Sequence, residues 1–297
     1  MRTSALPLPP SARQGVRWLP FVGVFALLFW PTFQWMAERF DAHDSFYSHG
    51  WLVPVASAWL IWQRRDSLAW IPRRASYWGL ALLVPSVLVH VAMTWWRIGF
   101  LSGFAMLGTV CGLVWTAWGW PMLWALRVPM LFLVFMVPLP GVLLIATSFK
   151  MKLWAAASAV RVLDLIGLPA EQAGSMIHLR GISVIVDDTC SGLRSLISLI
   201  ALAVLWTSLM GPSAKRWHKM VVIMASMPIA VLANMTRILV LVLLSAIYGP
   251  HVAESFIHYG SGIVVFGIAL LALAWFSRVV LQCSLPSLAP PRSPSAC

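Results

Sequence analysis

Three side chains in the C-terminal half of the sequence carry the parts needed for acyl transfer through a thioester: Cys190, Arg237 and His258. Cys190 sits in Asp187-Asp188-Thr189-Cys190-Ser191-Gly192-Leu193-Arg194-Ser195, a polar turn that runs directly into the apolar stretch Leu196 to Met210. Backbone N–H groups at the start of a helix, with Arg194 one turn further in, favour thiolate over thiol. Arg237 lies in Asn234-Met235-Thr236-Arg237, inside an apolar run. A guanidinium there costs about 2.5–3.5 kcal/mol on insertion scales, so it needs a partner or a task. His258 follows Glu254 by four residues, the helical spacing at which a carboxylate can orient an imidazole and fix its tautomer. In combination, Cys190 attacks a peptide carbonyl, His258 exchanges the proton with thiol and leaving amine, and Arg237 donates to the developing oxyanion. Each residue alone has a plainer explanation: a small residue at a helix start, a snorkelling arginine, an interfacial histidine.

What must position these groups follows from composition. The chain has 297 residues, of which 60% are hydrophobic and 10% charged, which excludes an ordinary soluble domain. Eighteen tryptophans suit a helical membrane protein, because indole rings settle at the headgroup level. The net charge of +12 forms no continuous basic stripe, so no nucleic-acid partner is expected; membrane lipid is. The cysteines, Cys111, Cys190, Cys283 and Cys297, show no metal spacing and fall at different depths, so no disulfide framework is expected. Arg2, Arg13 and Arg17 precede an apolar run with no A-x-A-like site, which reads as an uncleaved first span.

The expected fold is all-α, a polytopic membrane helix bundle with about eight spans. They are drawn at Leu19–Met36, Phe46–Trp62, Trp78–Trp96, Phe100–Trp118, Met122–Val137, Leu193–Met210, Met220–Tyr248 and Ile257–Leu281. Under this drawing twelve of the 21 Lys and Arg residues share the side of both termini and six lie opposite, so the termini are expected in the cytoplasm. Measured from Lys219 at roughly 1.5 Å per residue, Arg237 lies about 27 Å up a core about 30 Å thick. The outer connection, Pro138 to Thr189, begins with Pro138-Leu139-Pro140-Gly141. Val142 to Ile166, interrupted by Lys150, Lys152, Arg161 and Asp164, reads as a short amphipathic helix lying in or dipping into the outer interface. Ser175–Leu179 and Ile182–Val186 read as a β-hairpin leading to the cysteine. The expected organisation is a cytoplasmic segment 1–18, one membrane domain 19–283 and a Pro- and Ser-rich disordered tail 284–297.

With these motifs the chain resembles the exosortase/archaeosortase family of integral-membrane cysteine transpeptidases. The resemblance rests on Cys190-Ser191-Gly192-Leu193-Arg194-Ser195, on Asn234-x-x-Arg237, on His258 opening the last span, and on Tyr47-Ser48-His49-Gly50-Trp51-Leu52-Val53-Pro54. It covers about Phe46 to Leu281. It implies Cys190 as nucleophile with Arg237 and His258 as the other catalytic residues. It implies substrates that are exported proteins ending in a Pro-Glu-Pro-like motif, a membrane helix and a basic cluster. Some members carry a fused C-terminal domain linked to exopolysaccharide systems; the expectation here is a chain without one. His49, beside Tyr47 and Asp44, either lines the substrate path, replaces His258 as base, or packs a helix start with Gly50. Asp187, Asp188, Arg194, Asn234 and Glu254 either support the catalytic groups and substrate or only cap and pack their elements. No metal or organic cofactor is expected, since HExxH, paired intramembrane carboxylates and a phosphate loop are absent from the sequence. The rival from another class is a transporter or polymer-export component in which Arg237 and His258 bind an anion. A non-catalytic scaffold is the third reading. Oligomeric state is not legible.

Overall fold

The computed structural model describes residues 20–42, 45–179, 182–186, 191–210, 214–249 and 256–282; the side chains of 256–259 and 281–282 lie outside the description. It divides into two compact units, Met1–Ala42 with Trp59–Pro138, and His43–Ala58 with Leu139–Cys297.

The first unit is built on α1 (Pro20–Leu28) and α2 (Trp30–Asp41), which are bent by 63° about Phe29. Pro31 lacks the N–H that would continue the ladder there. The Leu28 carbonyl at the bend accepts from His90 Nε2 at 2.9 Å, and His90 Nδ1 in turn meets Ser102 Oγ at 2.8 Å. Thr32 Oγ1 completes this buried chain, 2.6 Å from Ser102 Oγ. The 3-10 turn at Ser48–Trp51 and the start of α3 (Leu52–Gln63) are counted with the second unit; the end of α3, α4 (Arg65–Ala69), α5 (Leu80–Trp95) and α6 (Gly99–Trp118) are counted with the first. The last two pack closely: a Cβ at Gly112 would lie 2.7 Å from the Leu83 backbone. Small residues permit such backbone approach. The unit ends with α7 (Trp120–Ala125), α8 (Arg127–Phe132) and a 3-10 turn, Leu133–Met136.

The second unit contains α9 (Gly141–Leu165), strands β1 (Ala170–Ala173), β2 (Met176–Leu179) and β3 (Ile182–Ile185), then α10 (Leu193–Leu209), α11 (Arg216–Tyr248) and α12 (Phe256–Gln282). The strands form an antiparallel sheet in the order β1-β2-β3, with Glu171 opposite His178 and His178 opposite Ser183. Alternation along β2 turns Ile177 and Leu179 inward while His178 bonds Ser183 outside. That inner face packs on Ala155, Ala156, Ala159 and Leu163 of α9 and on Ile238, Leu241 and Val242 of α11. A second cluster joins α10 through α12 by Leu199, Ala203, Val222, Ala230, Ala269 and Leu273. On α11 the buried positions Val222, Ser226, Ala230, Asn234 and Ile238 recur every four residues, a stripe on one face.

The eight-span drawing needs correction. Among the described residues five helices are long and apolar enough to cross a membrane, six if α1 and α2 are taken as one. The segment drawn at Phe46–Trp62 yields only a 3-10 turn and the 12-residue α3. Met122–Val137 is broken at Leu126, ahead of Pro129, into two six-residue helices and a turn. At 17 residues, α10 lies at the lower limit for a span. The helix drawn at Val142–Ile166 is present as α9, and its 25 residues are long and apolar enough to cross a membrane. Its large apolar residues Val142, Ile145, Phe149 and Trp154 are exposed while Ser148, Ala155 and Ala159 are buried. Leu163 is buried with the small residues, and Lys150 and Arg161 are exposed beside apolar side chains, so its charges do not define a simple polar face. The sheet has one strand more than the expected hairpin, because Gly174 in the left-handed region (φ 63°) turns β1 onto β2.

Candidate active site

Gly192 organises the start of α10. It holds φ 77° and ψ −2°, left-handed values open to glycine, and its carbonyl accepts from Leu196 N at 2.9 Å and from Ser195 Oγ at 3.0 Å. Its missing side chain matters equally. A Cβ at Gly192 would lie 2.5 Å from Asn234 Cγ and 2.7 Å from Nδ2. The turn that follows Cys190 is therefore seated on the side chain of Asn234, which is 5% exposed on the inner stripe of α11.

One turn beyond Asn234, Arg237 Nε donates to Ser261 Oγ on α12 at 3.2 Å. Its guanidinium also lies against Gly262, where a Cβ would be 3.5 Å from Cζ. Ser261 and Gly262 are three and four residues after His258, so position 258 falls on the helix face that meets Arg237. Ser195, Asn234, Arg237 and Gly262 line a cavity of about 20 Å³ between the three helices. That is room for about one water.

The sequence block around His49 also belongs to this unit. His49 Nδ1 meets Ser198 Oγ at 3.2 Å, in the second turn of α10, while its Nε2 is buried with no hydrogen-bond partner among the described residues. Both His49 and Tyr47 lie ahead of α3, outside the helices long enough to cross. Burial pushes the His49 imidazole below its ordinary value and the Tyr47 phenol above its own. The Tyr47 hydroxyl accepts from Leu139 N at 3.2 Å, a bond that lowers its pKa in part, and the ring stacks on His49. Tyr47 thus ties the His49 turn to the start of α9.

A family model described as transmembrane exosortase matches residues 35–275. The chain belongs to the transmembrane exosortase family. No curated protein and no solved structure matches it.

In this exosortase the described residues gather Ser191, Gly192, Asn234, Arg237 and the α12 face bearing position 258. Cys190, Asp187, Asp188 and Glu254 lie outside the described residues, as does the side chain of His258. Arg194 is half-buried in the first turn of α10. Sequence reasoning missed Ser198 and Ser261, the hydroxyl partners of His49 and Arg237. Ser261 had a usable signal, since it lies one turn from His258 in an otherwise apolar run.

Proposed function

We propose that this exosortase is a membrane cysteine peptidase or transpeptidase with Cys190, Arg237 and His258 as its catalytic residues. The observation that carries the reading is the seating of Gly192 on Asn234, one helical turn from an arginine held by Ser261. The turn at Gly192, the Asn234–Arg237 segment of α11 and Ser261 of α12 are linked by these two contacts, which supports the reading. The Cys190 thiolate attacks the scissile carbonyl and forms a C–S bond. Arg237 donates to the oxyanion of the tetrahedral intermediate. Collapse breaks the C–N bond, and the leaving amine takes its proton from His258. Water or a second amine then releases the acyl group and restores the thiol. The substrate class is an exported protein ending in a Pro-Glu-Pro-like motif, a membrane helix and a basic cluster.

The proposed location is the bacterial cytoplasmic membrane with the site near the outer leaflet. Lys215, Arg216 and Lys219 cluster at the α10–α11 connection, at the opposite end of α10 from Gly192, and Lys219 Nζ closes that connection on the Met210 carbonyl. The positive-inside rule puts this end in the cytoplasm, and with it Arg278 near the end of α12. The N-terminal Arg2, Arg13 and Arg17 are assigned to the same side on the same rule.

The test is processing in cells of a membrane-anchored reporter ending in Pro-Glu-Pro, an apolar helix and basic residues. Wild type is compared with Cys190→Ala and Cys190→Ser at equal membrane levels. Cleavage by wild type alone supports the thiol mechanism. Equal processing by all three refutes it and favours the anion-binding transporter reading, which tolerates Cys190→Ser.

A further inference from the structure

The two edges of the small sheet are finished differently. Val186 N donates to the Ser175 carbonyl at 2.9 Å, which makes these two a hydrogen-bonded pair. By the alternation of an antiparallel ladder, Ile182 and Val184 also turn their backbone groups to β2, while Ser183 and Ile185 turn theirs away from it. The same alternation sends Met176 and His178 of β2 to β1 and leaves Ala170 and Gln172 on the outer edge of β1. That edge is closed. Ala170 N donates to Asp164 Oδ1 at 3.1 Å, and Gln172 Nε2 donates to the Leu153 carbonyl of α9 at 3.2 Å. The edge of β3 is open: among the described residues nothing bonds the outward backbone groups of Ser183 and Ile185. Nor does Ile182-Ser183-Val184-Ile185 hold a lysine, proline or glycine, the residues that ordinarily blunt an exposed edge.

The open edge belongs to the strand that leads into the catalytic turn. Ile185 precedes Cys190 by five residues, a separation that spans at most about 18 Å. Its neighbour Val184 packs in one cluster with Ile238, Leu241 and Val242, the part of α11 just beyond Arg237. We propose that the edge of β3 takes up the substrate polypeptide as a fourth strand, so that the extended stretch beside the scissile bond pairs its backbone with Ser183 and Ile185. The proposal rests on the peptidase reading and adds how the substrate is held. A row of N–H and C=O groups repeating every second residue is complementary to an extended peptide backbone, and a lipid tail has nothing to offer it. Side chains at alternate substrate positions then lie on the face of Ile185, which is 62% exposed. Prolines two residues apart, as in the motif assigned to the substrate above, are compatible with such a strand. Both missing N–H groups fall on the same side, away from β3.

The experiment uses the full chain in native membranes with a reporter that wild type cleaves. In a Cys190→Ala background, which retains uncleaved substrate, Ile185→Cys is combined with a single cysteine walked residue by residue through the reporter ahead of its membrane helix. Opposed strand residues lie about 4.5–5.5 Å apart at Cα, within disulfide reach. Adducts are therefore expected at every second reporter position, and none where Ile185 is retained. Adducts at every third or fourth position, equal yields at all positions, no adducts, or a disulfide between two copies of this chain in place of the reporter overturn the assignment. In the active enzyme Ile185→Pro removes the outward N–H and leaves the ladder to β2 intact. It is expected to slow processing about five- to tenfold more than Ile185→Ala, the scale of one backbone hydrogen bond; equal rates would refute the pairing. Equal alkylation rates of Cys190 in these two variants, measured with the thiol in place, separate lost docking from a damaged turn; where they differ, the disulfide pattern decides alone. Neither result touches the peptidase reading, because cleavage by wild type and its loss in Cys190→Ala are scored separately.

Discussion

Gly192→Ala is the sharpest perturbation of the proposed site, because it adds one methyl and removes nothing. The left-handed backbone at position 192 costs an L-residue about 1–2 kcal/mol. The new methyl also has no space: it would lie 2.5 Å from Asn234 Cγ, 2.7 Å from Nδ2 and 2.9 Å from Cβ. Overpacking of that kind costs about 1–3 kcal/mol. Together these come to at least about 2 kcal/mol, so the population holding the turn as described falls by more than about tenfold. The assay is reporter processing at matched membrane levels, with thermal stability of the purified protein followed in parallel. The variant is expected to reach the membrane and to process at less than about a tenth of the wild-type rate, the scale just derived. Adding Asn234→Ala removes Cγ and Nδ2 but leaves Cβ and the backbone strain, so the double variant should recover only part of the lost thermal stability. Processing by Gly192→Ala within about twofold of wild type would refute the reasoning, since a tenfold population change corresponds to 1.4 kcal/mol. The turn would then not need Gly192 on Asn234.

Arg237→Lys keeps the charge but loses Nε and the planar fork, so reporter processing is expected to fall about 10²–10³-fold, the scale of a lost oxyanion donor. Membrane insertion should not change, and a loss under about tenfold would argue against an oxyanion role. For His49 the pH sign follows from burial, which lowers the folded pKa below the ordinary 6.5. Between those two values the unfolded chain binds more protons, so stability is full above about pH 6.5 and declines on acidification toward the folded pKa. Thermal melts from pH 7.5 to 5 should therefore show a steeper acid decline in wild type than in His49→Gln; equal slopes would exclude His49 as the cause. In the first unit, Gly112→Ala forces a methyl within 2.7 Å of the Leu83 backbone and should destabilise by about 1–3 kcal/mol. Gly141→Ala meets nothing within 4 Å and serves as the silent counterpart in the same melt, where equal midpoints would contradict the described α5–α6 contact.

The demand of Arg237 for a polar partner was legible in the sequence. A guanidinium in an apolar run asks for a partner, and Arg237 has one in Ser261. What could not be read was which hydroxyl answers, since several serines are compatible with helical spacing and only the α11–α12 packing selects among them. Span counting failed where local breaks outweigh hydropathy. Pro31 bends one candidate, Pro129 follows the break in another, and α3 stops at Gln63 before crossing length is reached. In α9 the difference is one of length and composition, which suit a span as well as an interfacial helix. Its charges suggest a helix on the interface, yet Ser148, Ala155 and Ala159 are buried while Val142, Ile145, Phe149 and Trp154 are exposed. Composition alone does not separate these cases, because both give the same hydropathy.

The length of α11 links fold to site. Its 33 residues span roughly 50 Å, about 20 Å more than a hydrocarbon core. The surplus does not hang free: Ile238, Leu241 and Val242 are covered by the sheet and by α9. Arg237 is the last residue before that covered segment. Measured from Lys219, it sits near the level where the core ends, where a charge costs less than at the midplane. In the proposed reaction, a substrate whose scissile bond lies where its own helix leaves the membrane would arrive at the same level. On that proposal depth would be fixed for both partners before they meet, and lateral approach within the membrane would replace a deep soluble cleft as the source of proximity.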